Sequence, residues 1–153
     1  RCLRGARCQA DYQARISGPL LDRIDLRIEV PAVSATDLIR GARSEASAEV
    51  AVRVARARAV QRERLERLGA TSATTNAQCS AGLIEDIAAP DAGGLALLKD
   101  ASEKLGFSAR AYHRVLKVAR TLADLDGSDS VGRIHLAEAI SYRIASERMA
   151  QAA

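Results

Sequence analysis

Residues 108–126 read Ser-Ala-Arg-Ala-Tyr-His-Arg-Val-Leu-Lys-Val-Ala-Arg-Thr-Leu-Ala-Asp-Leu-Asp, and the rest of the chain is organised around them. Tyr112, Val115, Leu116, Ala119, Leu122 and Ala123 recur at three- and four-residue steps, the period of one buried helical stripe. Ser108 is a good N-cap, since its hydroxyl can accept from an orphan N–H of the first turn. Gly127 supplies the stop. Arg110, Arg114, Lys117 and Thr121 share the opposite face. That face reads either as a solvated basic surface or as a phosphate-facing one. Arg110 in the first turn suits the second task, because a guanidinium is always charged and forks onto phosphate oxygens.

A second stretch, Ile16 to Asp25, reads Ile-Ser-Gly-Pro-Leu-Leu-Asp-Arg-Ile-Asp. Together the two stretches resemble the C-terminal part of magnesium-chelatase-like AAA+ ATPases, in particular the ComM/YifB branch linked to DNA processing. The resemblance runs from about Tyr12 to Arg143. It implies a mainly α fold: a four-helix lid preceded by a long helix and a short helix–strand remnant of an α/β core. It also implies three units: residues 1–33 as the end of the core, 34–78 as a helical insertion and linker, and 79–150 as the lid.

The chain has 153 residues, 48% of them hydrophobic and 3% aromatic, so its core must be built from Leu, Ile, Val and Ala. Such residues favour closely packed helices. No apolar run is long enough to span a bilayer. No signal peptide is evident, and three scattered cysteines favour a reducing cytoplasm. The first residue is Arg1, not Met, which suggests a piece of a longer protein. The net charge of +4 is uneven. Residues 1–69 carry 14 Arg against 9 Asp/Glu, while residues 70–153 are slightly acidic. A polyanion would therefore dock on the first half.

In chain order, Cys2 and Cys8 lack a standard zinc spacing and have no second pair, although a site completed upstream remains open. Residues 12–24 are expected to be mostly helical with a break at Ser17-Gly18-Pro19, and Leu20, Leu21 and Ile24 form an apolar face. Leu26, Ile28 and Val30 alternate with Arg27 and Glu29, the pattern of a half-buried strand. That strand has no partner in this chain. A short helical turn is expected at 34–39. Residues 44–68 form a long helix decorated by Arg53, Arg56, Arg58, Arg62, Arg64 and Arg67. Val50, Val54 and Ala57 begin its stripe, and Glu49–Arg53 and Glu63–Arg67 can pair at i,i+4. This helix is either solvated or a surface for DNA or another subunit. Without aromatics, any DNA contact through Arg53, Arg56, Arg62 and Arg64 would be to phosphates.

Residues 69–78 read as a mobile loop. Helices are expected at 80–88, 91–105, 108–126 and 132–148, with Leu83, Ile84, Ile87, Leu95, Leu98, Ala101, Leu105, Ile134, Leu136, Ala137, Ile140, Ile144 and Ala145 inward. Gly93-Gly94 is not a phosphate loop, since no Lys-Ser/Thr follows it. His113 and His135 read as packing or surface residues.

The resemblance gives the arginines roles. Arg23 matches the arginine finger that reaches the γ-phosphate held by a neighbouring subunit, although Arg15 lies close by and an ion pair with Asp22 or Asp25 is the simpler reading. Arg110 matches the sensor-2 arginine, and Arg114 lies one turn further along the same face. The implied parent is a ring, expected to be a hexamer of identical subunits, that uses ATP and Mg²⁺ and acts on DNA. None of these 153 residues forms a P-loop or a Walker B strand. No cofactor is therefore expected on this chain alone, and no turnover. Two other readings stand beside it: a stand-alone helical nucleic-acid-binding module, and a subunit-interaction domain of a magnesium chelatase proper.

Overall fold

A computed structural model describes residues 15–28, 30, 32–35, 39 and 45–151, with side chains described as far as Arg143 apart from Leu21. The elements are α1 (Gly18–Leu21), α2 (Ser47–Arg67), a 3₁₀ turn (Asn76–Gln78), α3 (Ala81–Ile87), α4 (Ala92–Leu105), α5 (Ala109–Asp126) and α6 (Arg133–Gln151). The architecture is mainly helical, and the four helices from α3 to α6 are those expected of the lid.

Local chemistry sets the helix ends. Ser80, Asp91 and Ser108 accept from the backbone N–H groups of Leu83, Gly94 and Ala111, so each caps the first turn that follows it. Gly106 and Gly127 close α4 and α5 with φ of 60° and 72°, a left-handed conformation that costs glycine little.

The central element is α5, which packs against α2, α3, α6 and the 3₁₀ turn. Val115, Leu116, Ala119 and Ala123 are fully buried, and Tyr112 and Leu122 pack at the edge of the same core. One core cluster joins Ile84, Leu98, Leu116, Val131, Leu136 and Ile140 with Leu65, Ala73 and Cys79. The hydrophobic interior therefore runs across residue 78 without a break.

Several expectations are corrected. Leu95 and Ile134 are exposed, at 54% and 71%, and Ala137 is exposed as well. The face of α4 toward the core is Gly94, Leu98 and Ala101, and that of α6 is His135, Leu136, Ala139 and Ile140. Leu98, Ala101 and Leu105 of α4 and Leu136 and Ile140 of α6 face inward as expected, while Gly94, His135 and Ala139 are buried in place of Leu95, Ile134 and Ala137. The reason is that Pro90 and Val131 pair as a parallel bridge and lay the starts of α4 and α6 side by side. Leu20 and Ile24 are also exposed. Residues 25–28 form no strand, and Leu26 and Ile28 face outward. Among the described residues no backbone pairs with them as a ladder, and the Arg27 N–H donates instead to the Tyr142 carbonyl at 3.2 Å. Residues 69–78 are built into the fold, because Ala73 and Asn76 are buried. Glu49 turns back to accept from the Ala46 N–H, so Arg53 pairs with Glu45. Most of the 34–39 turn, Cys2, Cys8, and the side chains of Ile144 and Ala145 lie outside the described residues.

The close approach of α4 and α6 explains Gly94. A Cβ there would lie 2.8 Å from Leu136 Cδ1 and 3.1 Å from Pro90 Cβ, while one on Gly93 would meet nothing nearer than 3.6 Å. Gly94→Ala is expected to destabilise the chain by about 1–3 kcal/mol through overpacking. Gly93→Ala should be neutral or stabilising by up to about 1 kcal/mol. Thermal melts of the two variants should therefore move in opposite directions, or at least differ clearly.

Candidate functional site

The first turns of α5 carry three cations on one ridge. Arg110, Arg114 and Lys117 stand at i, i+4 and i+7, one ridge of the helix, with His113 beside them. They line an open cleft of about 320 Å³ together with Asp25, Ala77 and Ala81. Arg110 is exposed and makes no ion pair among the described residues. Arg114 pairs with Asp25. Lys117 Nζ donates to the Ala77 carbonyl at 2.8 Å, and His113 Nε2 lies 2.7 Å from Glu85 Oε1. These polar contacts, with Thr121, make this face of α5 a docking surface and not a merely solvated one.

Residues 22–27 dock on that same end of α5. Ser108 Oγ, besides capping the helix, donates to Asp22 Oδ2 at 3.2 Å. Arg143 on α6 donates to the Ile24 carbonyl at 3.4 Å and to Asp22 Oδ1 at 3.5 Å. Burial pushes the Arg143 pKa down, with Arg27 adding to the effect and Asp22 opposing it. Arg23 sits inside this docked segment, yet it is exposed and forms no ion pair among the described residues. Its two neighbouring carboxylates are engaged elsewhere, Asp22 by Ser108 and Arg143, and Asp25 by Arg114. Arg15, also exposed, lies before α1.

The basic helix divides in two. Its second half packs on α5 through Ala57, Gln61 and Leu65, while Val50 and Val54 on the same stripe remain over a third exposed. Arg56 and Arg62 are exposed without ion pairs among the described residues, and Arg53 is held by Glu45. Arg64 is placed differently. Its guanidinium grips both oxygens of Asp124, whose side chain is fully buried.

Around that carboxylate lies a knot of residues whose joint role sequence reasoning missed. Arg120 is only 1% exposed. It donates to Asp124 Oδ1 at 3.1 Å and to the carbonyls of Asp129 and Ser128 at 2.7 and 2.6 Å. Asn76 Nδ2 donates to Asp124 Oδ2 at 2.8 Å, and the Asn76 N–H donates to Gln61 Oε1 at 3.2 Å. Burial pushes the Arg120 pKa down and Asp124 pulls it back up. The signal was present in the sequence. Arg120 follows Leu116 by four residues and precedes Ala123 by three, which puts it on the apolar stripe.

His135 is also structural. Its Nδ1 accepts from the Gly132 N–H at 3.0 Å, so the Nε2 that faces Asp126 at 3.2 Å carries the proton in the neutral ring. Burial raises the Cys79 pKa, which keeps that thiol protonated and inert at neutral pH. No group of three or more metal-ligating side chains occurs among the described residues. None of the described helices is long and apolar enough to cross a membrane.

The mainly helical architecture, with α3 to α6 around one core, is that of a helical lid domain. Residues 44–143 match the family described as magnesium chelatase, subunit ChlI C-terminal, and residues 1–38 match magnesium chelatase, subunit ChlI. The chain therefore belongs to the magnesium-chelatase-like family of AAA+ proteins and holds its helical C-terminal domain. Among its relatives, the competence protein ComM of Haemophilus influenzae is 44% identical over 133 residues, covering 86% of this chain and 25% of the relative. The uncharacterized protein YifB of Salmonella typhimurium is 41% identical over 133 residues, with the same coverage. Rv2897c of Mycobacterium tuberculosis, also uncharacterized, is 34% identical over 142 residues, covering 93% of this chain and 27% of the relative. The chain thus spans about a quarter of the length of the curated relatives it matches.

Proposed function

We propose that this chain is the lid-bearing part of a ring-forming AAA+ ATPase, and that it supplies two arginines to ATP hydrolysis coupled to DNA remodelling. Arg110 contacts the γ-phosphate as sensor 2, with Arg114 next to it. Arg23 acts as the finger on the nucleotide of a neighbouring subunit. The observation that carries this reading is the pair of exposed guanidiniums, Arg110 and Arg23, that form no ion pair among the described residues. They lie on two segments tied together at the start of α5, one at each motif of the family resemblance. An arginine fork aimed at developing phosphate charge stabilises it without reorganisation. That the Haemophilus relative is a competence protein supports DNA as the substrate class. ATP and Mg²⁺ would be held by a P-loop and Walker B carboxylate that these 153 residues do not contain. The unit boundaries at 33/34 and 78/79, a homohexameric ring and a cytoplasmic location belong to the same proposal.

The test is ATP turnover. In the full-length protein, Arg110→Ala should lower kcat by roughly 10- to 100-fold, the worth of one hydrogen bond to a charged group. The 153-residue chain by itself should release no phosphate from Mg-ATP. Sustained hydrolysis by the pure chain would overturn the reading.

DNA contact is assigned to the exposed face of α2. Arg56 and Arg62 lead it because they form no ion pair among the described residues, Arg53 must leave Glu45 to join them, and Arg64 is held inside by Asp124. Affinity for duplex DNA should fall steeply with salt, and Arg62→Ala should reduce the log–log slope by about 1. A slope that is flat in the wild type would favour a subunit-facing role for this helix.

A further inference from the structure

We propose that Asp25 is an internal competitor for phosphate. It plugs the α5 cleft by pairing with Arg114, and a polyphosphate entering the cleft displaces it and frees the segment that carries Arg23. This rests on the nucleotide-facing reading of Arg110 and adds a regulatory contact to it.

The cleft is built for an anion longer than one phosphate. Arg110, Arg114 and Lys117 spread their charges over about 10 Å of helix at 1.5 Å per residue. A chain of linked phosphates matches that ridge better than an isolated one. Asp25 is the only carboxylate among the cleft-lining residues, and it neutralises the middle cation. Glu85 sits at the side, on His113.

The pair is exchangeable. The Asp25 and Arg114 side chains are 43% and 27% exposed, and ion pairs this wet are held weakly. Asp25 accepts through one oxygen, from one terminal nitrogen. The Nε of Arg114 is buried and donates to nothing among the described residues, so the guanidinium fork is only partly used. A phosphate group carries more charge than a carboxylate and offers three acceptor oxygens, so it competes well for such a fork.

Displacement has a mechanical consequence. The remaining contacts described for this segment are long: 3.2 Å for Ser108–Asp22, 3.2 Å for Arg27–Tyr142, and 3.4 and 3.5 Å for the two from Arg143. One of these, Arg143–Asp22, is itself a charge pair, stretched at 3.5 Å to the limit of hydrogen-bond length. Arg23 lies two residues before Asp25, so occupancy of the cleft by one nucleotide alters the anchoring of the residue proposed to act on another.

Calorimetric titration of the 153-residue chain with inorganic triphosphate tests this. Asp25→Asn should bind triphosphate about fivefold tighter than wild type, the upper value for a part-exposed charge pair. Lys117→Gln should bind about fivefold weaker. Asp25→Glu keeps the competing charge and should resemble wild type. Asp100→Asn removes the same charge from α4, where Asp100 pairs with Lys104, and should change nothing. In parallel, amide exchange at residues 22–28 should speed up when triphosphate is added. The proposal is overturned if Asp25→Asn binds no tighter than wild type, if Asp100→Asn tightens binding equally, if triphosphate does not bind at millimolar concentration, or if exchange at 22–28 is unchanged. Failure of the ATPase reading looks different: turnover of full-length protein would survive Arg110→Ala while the triphosphate competition persisted.

Discussion

Asp124→Ala is expected to destabilise the chain by about 3–5 kcal/mol, the cost of breaking a buried ion pair by removing one partner. The carboxylate is fully buried and accepts from Arg64, Arg120 and Asn76 at once. Its loss strands Arg120, which at 1% exposure has no route to water. It also releases the grip of α2 on α5 and the anchor of the Asn76 turn. For a domain of this size each kcal/mol lowers Tm by about 2–4 °C, so a drop of roughly 6–20 °C is expected. Asp124→Asn retains the shape and should fall between. Arg53→Ala serves as the contrast, since its ion pair with Glu45 is about half-exposed and contributes about 1 kcal/mol or less. A thermal melt of Asp124→Ala within a degree of wild type would show that the knot carries no stability.

The second large effect is catalytic. In full-length protein, Arg23→Ala should lower kcat for ATP by about 10³-fold or more, the range that arginine fingers contribute in phosphoryl transfer. The effect should appear in kcat and hardly in KM, because the interaction strengthens only as charge develops in the transition state. Arg23→Lys should restore little, since an ammonium cannot fork onto two phosphate oxygens. Stability should be unchanged, because Arg23 is exposed and makes no ion pair among the described residues. Single-turnover measurement of phosphate release separates this from a binding defect. An unchanged kcat would remove Arg23 from the mechanism and turn attention to Arg15.

These two predictions draw on different levels of information. Arg23 was named from sequence, because Ile-Ser-Gly-Pro-Leu-Leu-Asp-Arg-Ile-Asp is a long motif whose resemblance assigns a role by position. Arg110 was named in the same way, and the structure leaves both guanidiniums unpaired among the described residues. The Asp124 knot was not foreseen. Arg64 was grouped with the DNA-facing arginines because on a helical pattern it is indistinguishable from Arg62. Only its partner 60 residues away separates them.

The helices of the lid, their caps and their stops were legible in the sequence, because capping and apolar period act within a few residues of each other. Ser80, Asp91, Ser108, Gly106 and Gly127 each do their work locally. On α4 and α6 the inward Leu98, Ala101, Leu136 and Ile140 were legible, but the edge of each stripe was not, since Leu95 and Ile134 are as apolar as their buried neighbours and their exposure depends on what packs opposite. The Pro90–Val131 bridge and the Gly94–Leu136 approach decide it. Residues 69–78 read as a loop from their Ala/Thr/Ser/Asn composition, whereas Asn76 finds its partners far along the chain on α2 and α5. By itself the sequence determined the helical lid and the family and put forward the two arginines as candidates, since these rest on short-range spacing and contiguous motifs. The tertiary structure alone decided which charges are buried, which arginine each carboxylate holds and which edge residues of α4 and α6 turn outward, because ion pairing and packing join residues that the chain keeps far apart.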